Sequence, residues 1–190
     1  MMLRKPESVS QETPEHINGT SARVRRRPVS LPLDEEFLKE LYASTRDDLT
    51  KLPLPREQKD LLIAMQYDAQ YLQYSRDFPG ARHDILLVDE VPVGRLMVDE
   101  GGDRYWIIDV AILPGFRGQG IGSAVIAAEQ ESASLAAKPL CLQVLMTNSA
   151  VGLYERLGFR VTGRSQTHIA MEWIPSAQQP SELGDRSDAC

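Results

Sequence analysis

The sequence predicts an α/β (α+β) domain, and three observations carry that prediction. Short apolar or alternating runs recur at 24–29, 84–88, 93–98, 105–113, 140–146, 160–163 and 167–173, separated by turn residues. Helical spacing appears between them, most clearly over 56–75. One stretch, 110–124, joins both patterns: an apolar strand ending in Leu113-Pro114, a loop with glycine at every second position, then a helix start. The order is strand, two helices, three strands, helix, strand, helix, two strands.

Composition bounds the function. A chain of 190 residues buries a sizeable core as one domain without disulfide or metal support. Its formal charge of −6 speaks against coating nucleic acid, because that affinity rests on basic patches that release counterions. Cys141 lies in an apolar run and Cys190 ends the chain, which gives no disulfide framework and points to a reduced, cytoplasmic setting. No run reaches transmembrane length and the start lacks a signal-peptide core, so no membrane partner is expected. With three histidines and no paired Cys/His spacing, no metal site is expected.

Taken in order, 1–22 is polar and reads as a disordered lead-in, 23–174 as the folded domain, and 175–190 as a mobile tail. Arg23 to Arg27 make a basic knot, read as a first strand with solvated arginines or as a nucleic-acid or membrane tag. Asp34-Glu35-Glu36 opens a helix with acids at its positive end. Prolines 53 and 55 break the pattern before a second helix, 56–75, in which Leu62, Met65, Ala69 and Leu72 recur as the expected core face. Gln66, Gln70 and Gln73 flank that face. Tyr67, Tyr71 and Tyr74 fall opposite it, either as a wall of a substrate cleft or as packing under a loop or a dimer contact. A hairpin turns at Asp89-Glu90. The run 140–146 is apolar enough for a strand covered on both faces. A helix follows from 149 to 157, with Gly158 as its C-cap.

The loop from Arg117 to Ser123 offers successive backbone N–H groups beside a helix N-terminus, a cradle for phosphate. A P-loop would need a lysine after these glycines, and none follows. A Rossmann fingerprint would need glycine where Ser123 stands and an acidic residue after the next strand. What remains is Arg-x-x-Gly-x-Gly, formed by Arg117, Gly120 and Gly122. With Asn148 to Phe159, read as Asn-x-Ala…Tyr-x-x-x-Gly-Phe, this resembles the GNAT (Gcn5-related N-acetyltransferase) superfamily over about residues 23–174. The alanine comes two places after Asn148 where the superfamily has three. Gln66 to Gln70, Asp109 to Pro114 and the ending Met171-Glu172-Trp173 resemble a bacterial subgroup of unknown substrate.

The resemblance implies a GNAT fold: a central mixed, mostly antiparallel twisted sheet of about six to seven strands flanked by about four helices. It implies an acyl-CoA-dependent N-acyltransferase that passes acetyl from acetyl-CoA, with no metal, to a small-molecule amine. Acetylation of a protein lysine or N-terminus is an alternative, as is a CoA-binding sensor without turnover. Val110, Ala111, Ile112, Arg117, Gly118, Gln119, Gly120, Ile121, Gly122, Ser123 and Asn148 would hold the cofactor, Asn148 by bonding the pantetheine or by capping the short helix. Tyr154 matches the general-acid tyrosine. Asp109 is either the base or a sheet residue pairing an arginine; alternation sets it opposite Val110 and Ile112 unless a bulge re-aims it. Gln66, Tyr71 and Tyr74 would contribute to the acceptor site. A homodimer fits the family, with no interface marked in the sequence.

Overall fold

A computed structural model describes residues 24–176 and the backbone of His16–Ile17. The rest of the lead-in and the tail beyond 176 lie outside the described residues. The strands are β1 (His16–Ile17), β2 (Val24–Pro28), β3 (Arg82–Val88), β4 (Val91–Asp99), β5 (Tyr105–Ile112), β6 (Leu140–Leu145), β7 (Arg160–Arg164) and β8 (His168–Trp173). The helices are α1 (Glu35–Ala43), α2 (Asp47–Thr50), α3 (Arg56–Asp77), α4 (Ile121–Leu135) and α5 (Val151–Arg156). One eight-stranded sheet has the order β1-β2-β3-β4-β5-β6-β8-β7. Every neighbouring pair is antiparallel except β5 and β6, which are parallel and therefore need the α4 crossover between them.

The sheet is covered on both faces. Leu96, Val98, Ile107, Leu140, Leu142 and Met171 form one core with Ile121, Val125 and Ile126 of α4 and with Tyr154 and Phe159. On the other face Ile85 and Leu87 meet Leu38 and Tyr42 of α1, Leu49 of α2, and Ile63 and Tyr67 of α3. The β3–β4 hairpin turns on Asp89 and Glu90 at φ 48° and 65°, the left-handed pair that a two-residue turn requires. Gly158 at φ 86° ends α5, as expected of a C-cap.

Three local expectations are corrected. The arginines of β2 are not simply solvated. Arg25 pairs with Glu90, Arg26 with Glu129, and Arg27 with Asp34 at 2.7 Å. Glu129 projects from α4 with no exposed surface and also takes Arg82 at 2.7 Å, so the basic knot neutralises a carboxylate that α4 buries against the sheet.

Helix α3 is turned over relative to the expected core face. Ile63 and Tyr67 are buried, whereas Met65 and Leu72 are 61% and 68% exposed. The reason lies in the sheet beneath. That face carries Arg95 and Asp109, and a buried guanidinium needs an acceptor. Gln70 Oε1 supplies one to Arg95 Nη2 at 2.8 Å. The tyrosines supply the apolar area, Tyr67 standing edge-on to Tyr42 with ring centroids 5.8 Å apart.

Strand β6 is covered on both faces only in its first half. Leu140, Cys141 and Leu142 are buried, but Gln143 and Leu145 are exposed. Its parallel neighbour has left it by then.

Candidate active site

The site begins with that departure. β5 and β6 pair at Tyr105–Leu140, Trp106–Cys141 and Ile107–Leu142 and no further. On the other side of β5 the register shifts between Met97 and Val98, so that Ile108 is the extra residue of a β-bulge. A bulge bends and twists its strand, and here it turns 109–112 away from β6. The edge of Val110–Ile112 is left open toward the gap.

The bulge leaves Asp109 opposite Val110 and Ile112, as alternation predicts. Asp109 lies beside Met97 and on the same face as Arg95, with which it forms an ion pair. His83 pairs with Met97 in register and therefore faces the same space. Burial and the Arg95 charge hold its imidazole below the ordinary histidine range, with the Asp109 charge opposing.

Beyond β5 the chain makes a 3-10 turn, Pro114–Phe116, and reaches α4 through Gly118 and Gly120 at φ 76° and 82°. Positive φ at both positions is why glycine stands there. The first helical bond runs from Ala124 N–H to Gly120 O at 3.0 Å, so the N–H groups of Ile121, Gly122 and Ser123 point out of the helix end. A Cβ on Gly122 would lie 3.4 Å from Leu153 and 3.6 Å from Ile112, so α4 sits close against both walls. Arg117 folds back over the loop. Its Nε donates to Ile112 O at 2.7 Å and Nη2 reaches Ser44 O at 3.4 Å. Gln119 turns inward too, donating to Gly115 O at 2.9 Å.

These elements enclose a cleft of about 840 Å³. Val110–Ile112 and Arg117 form one wall, Leu145 and Thr147–Ala150 the opposite one, and Gly122, Ile126, Leu153 and Tyr154 the end. Residues 44–48, the turn after α1 and the first two residues of α2, complete the lining. Tyr154 is 5% exposed and meets Phe159 edge-on at 5.7 Å. Burial pushes its phenol up to about 12, and the Asp109 charge adds to the shift. Such a tyrosine keeps its proton at neutral pH. Asn148 Oδ1 accepts the Ala150 N–H at 2.8 Å, which fixes the turn into α5.

The structure thus gathers Val110, Ala111, Ile112, Arg117, Gly122, Asn148 and Tyr154 in one cleft. Gly118, Gln119, Gly120, Ile121 and Ser123 belong to the loop and helix end beside it; the Ile121 side chain itself is in the core. Gln66, Tyr71 and Tyr74 are carried by α3, outside the cleft lining. Gln66 accepts a hydrogen bond from Arg46, Tyr71 stacks on Tyr67 at 6.5 Å, and Tyr74 is pushed up to about 12 by burial and then by Asp109.

Sequence reasoning passed over 44–48, where Arg46 grips Asp48 through two bonds of 2.9 and 2.7 Å and also donates to Tyr42 and Gln66. Its only signal is an aperiodic, charged segment, which folds as a turn leading into the single-turn helix α2.

Residues 81–161 match the family model described as an acetyltransferase (GNAT) domain. Solved structures of similar fold include the PaiA N-acetyltransferase from Thermoplasma acidophilum in complex with coenzyme A. It has 16% identity and a TM-score of 0.61, covering 80% of this chain and 98% of that one. An acetyltransferase from Thermus thermophilus has 21% identity and a TM-score of 0.57, covering 84% and 99%. The RimL ribosomal L7/L12 α-N-protein acetyltransferase has 14% identity and a TM-score of 0.59, covering 88% and 98%. No curated protein matches the chain by sequence.

Proposed function

We propose that this chain, whose residues 81–161 match the GNAT acetyltransferase domain model, transfers acetyl from acetyl-CoA to a primary amine of a small molecule by direct attack on the thioester. The observation that carries the reading is the parting of β5 and β6 beside the α4 N-terminus, with a buried tyrosine at the end of the gap.

The residues present fit the cosubstrate. The open edge of Val110–Ile112 offers backbone groups to the amides of the pantetheine arm, as a sheet edge offers them to an added strand. The N–H groups of Ile121, Gly122 and Ser123 suit a pyrophosphate. Arg117 now satisfies Ile112 O. Cofactor entry along that edge would free the guanidinium for phosphate, where its fork gives bidentate contact. Asn148 keeps its turn-fixing bond and presents its amide N–H₂ beside the cleft wall.

The acyl carbonyl would be polarised by a backbone N–H of β5 near Ile112. For the leaving sulfur, Tyr154 is a hydrogen-bond donor first. A thiol ionises near 8.5 and this phenol near 12, so complete proton transfer to the thiolate is uphill by roughly 5 kcal/mol. Its contribution is a directed hydrogen bond on the charge that develops at sulfur, with the net proton coming from the attacking amine. Asp109 is the base in this reading. It adjoins Val110 on the strand, Arg95 fixes its position, and its charge is felt at Tyr154. A water between amine and carboxylate would span the strand.

The test is a thermal-shift titration with acetyl-CoA, longer acyl-CoAs and free CoA, followed by an amine panel. Acetyl-CoA at about 100 times its Kd should stabilise the fold by roughly 2.7 kcal/mol. No shift with any acyl-CoA would remove the central claim. A shift without turnover on any amine or peptide would leave a binder and not an enzyme.

A further inference from the structure

Strand β4 is irregular where it lies against the cleft strand. Its register with β3 runs Leu86–Gly94 and then Leu87–Pro92, so Val93 is the extra residue of a second bulge. Gly94 follows it and stands opposite Ile112 of β5. A Cβ on Gly94 would overlap Ala111 O and lie 3.3 Å from both Ile112 Cα and Leu86 Cδ1. Two of these three atoms are backbone, which cannot swing aside as the end of a side chain can. A glycine inside a strand marks such a close approach of another backbone.

The peptide unit it approaches is the one that faces the acyl group. Leu113 N–H donates to Val93 O at 2.8 Å, so Gly94 and Ile112 form an antiparallel pair that exchanges no hydrogen bonds. The N–H and C=O of Ile112 therefore point away from β4 and into the gap, where Ile112 O accepts Arg117 Nε at 2.7 Å. The peptide between Ala111 and Ile112 is planar, with its C=O and N–H opposed. Ala111 O thus points at β4 while Ile112 N–H points at the gap, and pressure on the oxygen tilts the N–H the other way. We infer that Gly94 is a positioning residue for acyl transfer, its missing Cβ letting the Ala111–Ile112 peptide aim its N–H at the thioester carbonyl. This rests on the acetyl-CoA reading above and adds to it a residue outside the cleft lining.

Gly94→Ala tests it, with acetyl-CoA carrying 13C at the acyl carbonyl as the infrared probe. On the wild-type protein the bound carbonyl should absorb at lower frequency than in free acetyl-CoA, because a hydrogen bond weakens the C=O. In Gly94→Ala the band should return toward the free value. Its acetyl-CoA Kd should stay within about twofold. Its kcat should fall about 10–100-fold, short of the 10²–10³ for a deleted donor or just reaching it, since the N–H is misdirected and not removed. Val98→Ala, a truncation at a fully buried position of the same strand outside the cleft lining, should lower Tm and leave band and kcat unchanged. If overpacking unfolds Gly94→Ala, adding Leu86→Val removes the Cδ1 contact and keeps the backbone one, and the pair should show the same band shift. Wild-type protein that fails to bind acetyl-CoA removes the acyl-transfer reading and this inference with it. Binding with an unshifted band overturns the inference, as does a lowered band that Gly94→Ala, or the pair, leaves in place. So does a Val98→Ala band that moves as far.

Discussion

Replacing Tyr154 with phenylalanine separates catalysis from packing at the end of the cleft. The ring stays, with its edge contact to Phe159 at 5.7 Å, so the core should close as before. The hydroxyl is lost, and with it the donor aimed at the departing sulfur. Well-matched general acids contribute about 10²–10⁴-fold. This phenol, raised to about 12 by burial and by Asp109, is some three units above a thiol and is poorly matched. The expected loss in kcat is therefore about 10–100-fold, below that range and reaching only its lower limit. The Kd for acetyl-CoA, read by calorimetry, should stay within about twofold, because the hydroxyl acts on developing charge rather than on the bound thioester. The pH profile sharpens the test. Tyr154 works protonated, so its activity is lost only as pH rises through about 12, and between pH 7 and 10 it imposes no alkaline limb. Tyr154→Phe should thus lower kcat evenly across that range. An unchanged kcat would reduce Tyr154 to a core residue. A loss confined to KM would mean that it positions the cofactor.

Further outcomes follow from the same geometry. Gly120→Val forces a β-branched residue to φ 82° and should cost about 1–2 kcal/mol in stability and weaken acetyl-CoA binding, both measurable by thermal shift with and without ligand. Glu129→Ala strips Arg26 and Arg82 of a carboxylate with no exposed surface and should cost about 3–5 kcal/mol in urea unfolding; a loss below about 1 kcal/mol would mean that the arginines turn to solvent. Asp109→Asn should lower kcat with little effect on cofactor Kd, whereas a purely structural aspartate would show its loss in Tm alone. His83 is held neutral by burial and by Arg95, so its folded pKa is depressed and its unfolded one is about 6.5. The stability tied to it is full above that value and is lost as pH falls below it, so His83→Gln should flatten the acid limb of stability against pH.

What the sequence disclosed and what it hid divide along a physical line. The loop and the start of α4 were legible because their glycines answer to local geometry: positive φ at 118 and 120 is a requirement of the backbone, whatever surrounds it. Alternation sets Asp109 opposite Val110 and Ile112, as found, but the bulge at Ile108 also puts it on the face opposite Ile107, and that reversal was not legible in the sequence. Cleft residues 44–48 were not legible, because an aperiodic turn and a one-turn helix take their shape from what they touch, here Tyr42, Gln66 and the Arg117 side chain.

Helix α3 shows why hydrophobic spacing can select the wrong face. The rule assumes an apolar surface waiting opposite the helix. Here β4 and β5 present Arg95 and Asp109, so the helix face with acceptors and phenols wins the interior and the leucines lose it. The inner face of α3 answers a sheet that mixes Ile85 and Leu87 with Arg95 and Asp109. Substitutions on the two faces should therefore separate: those at Gln70 and Tyr74 should lower turnover, and those at Met65 and Leu72, 61% and 68% exposed, should leave turnover and Tm unchanged.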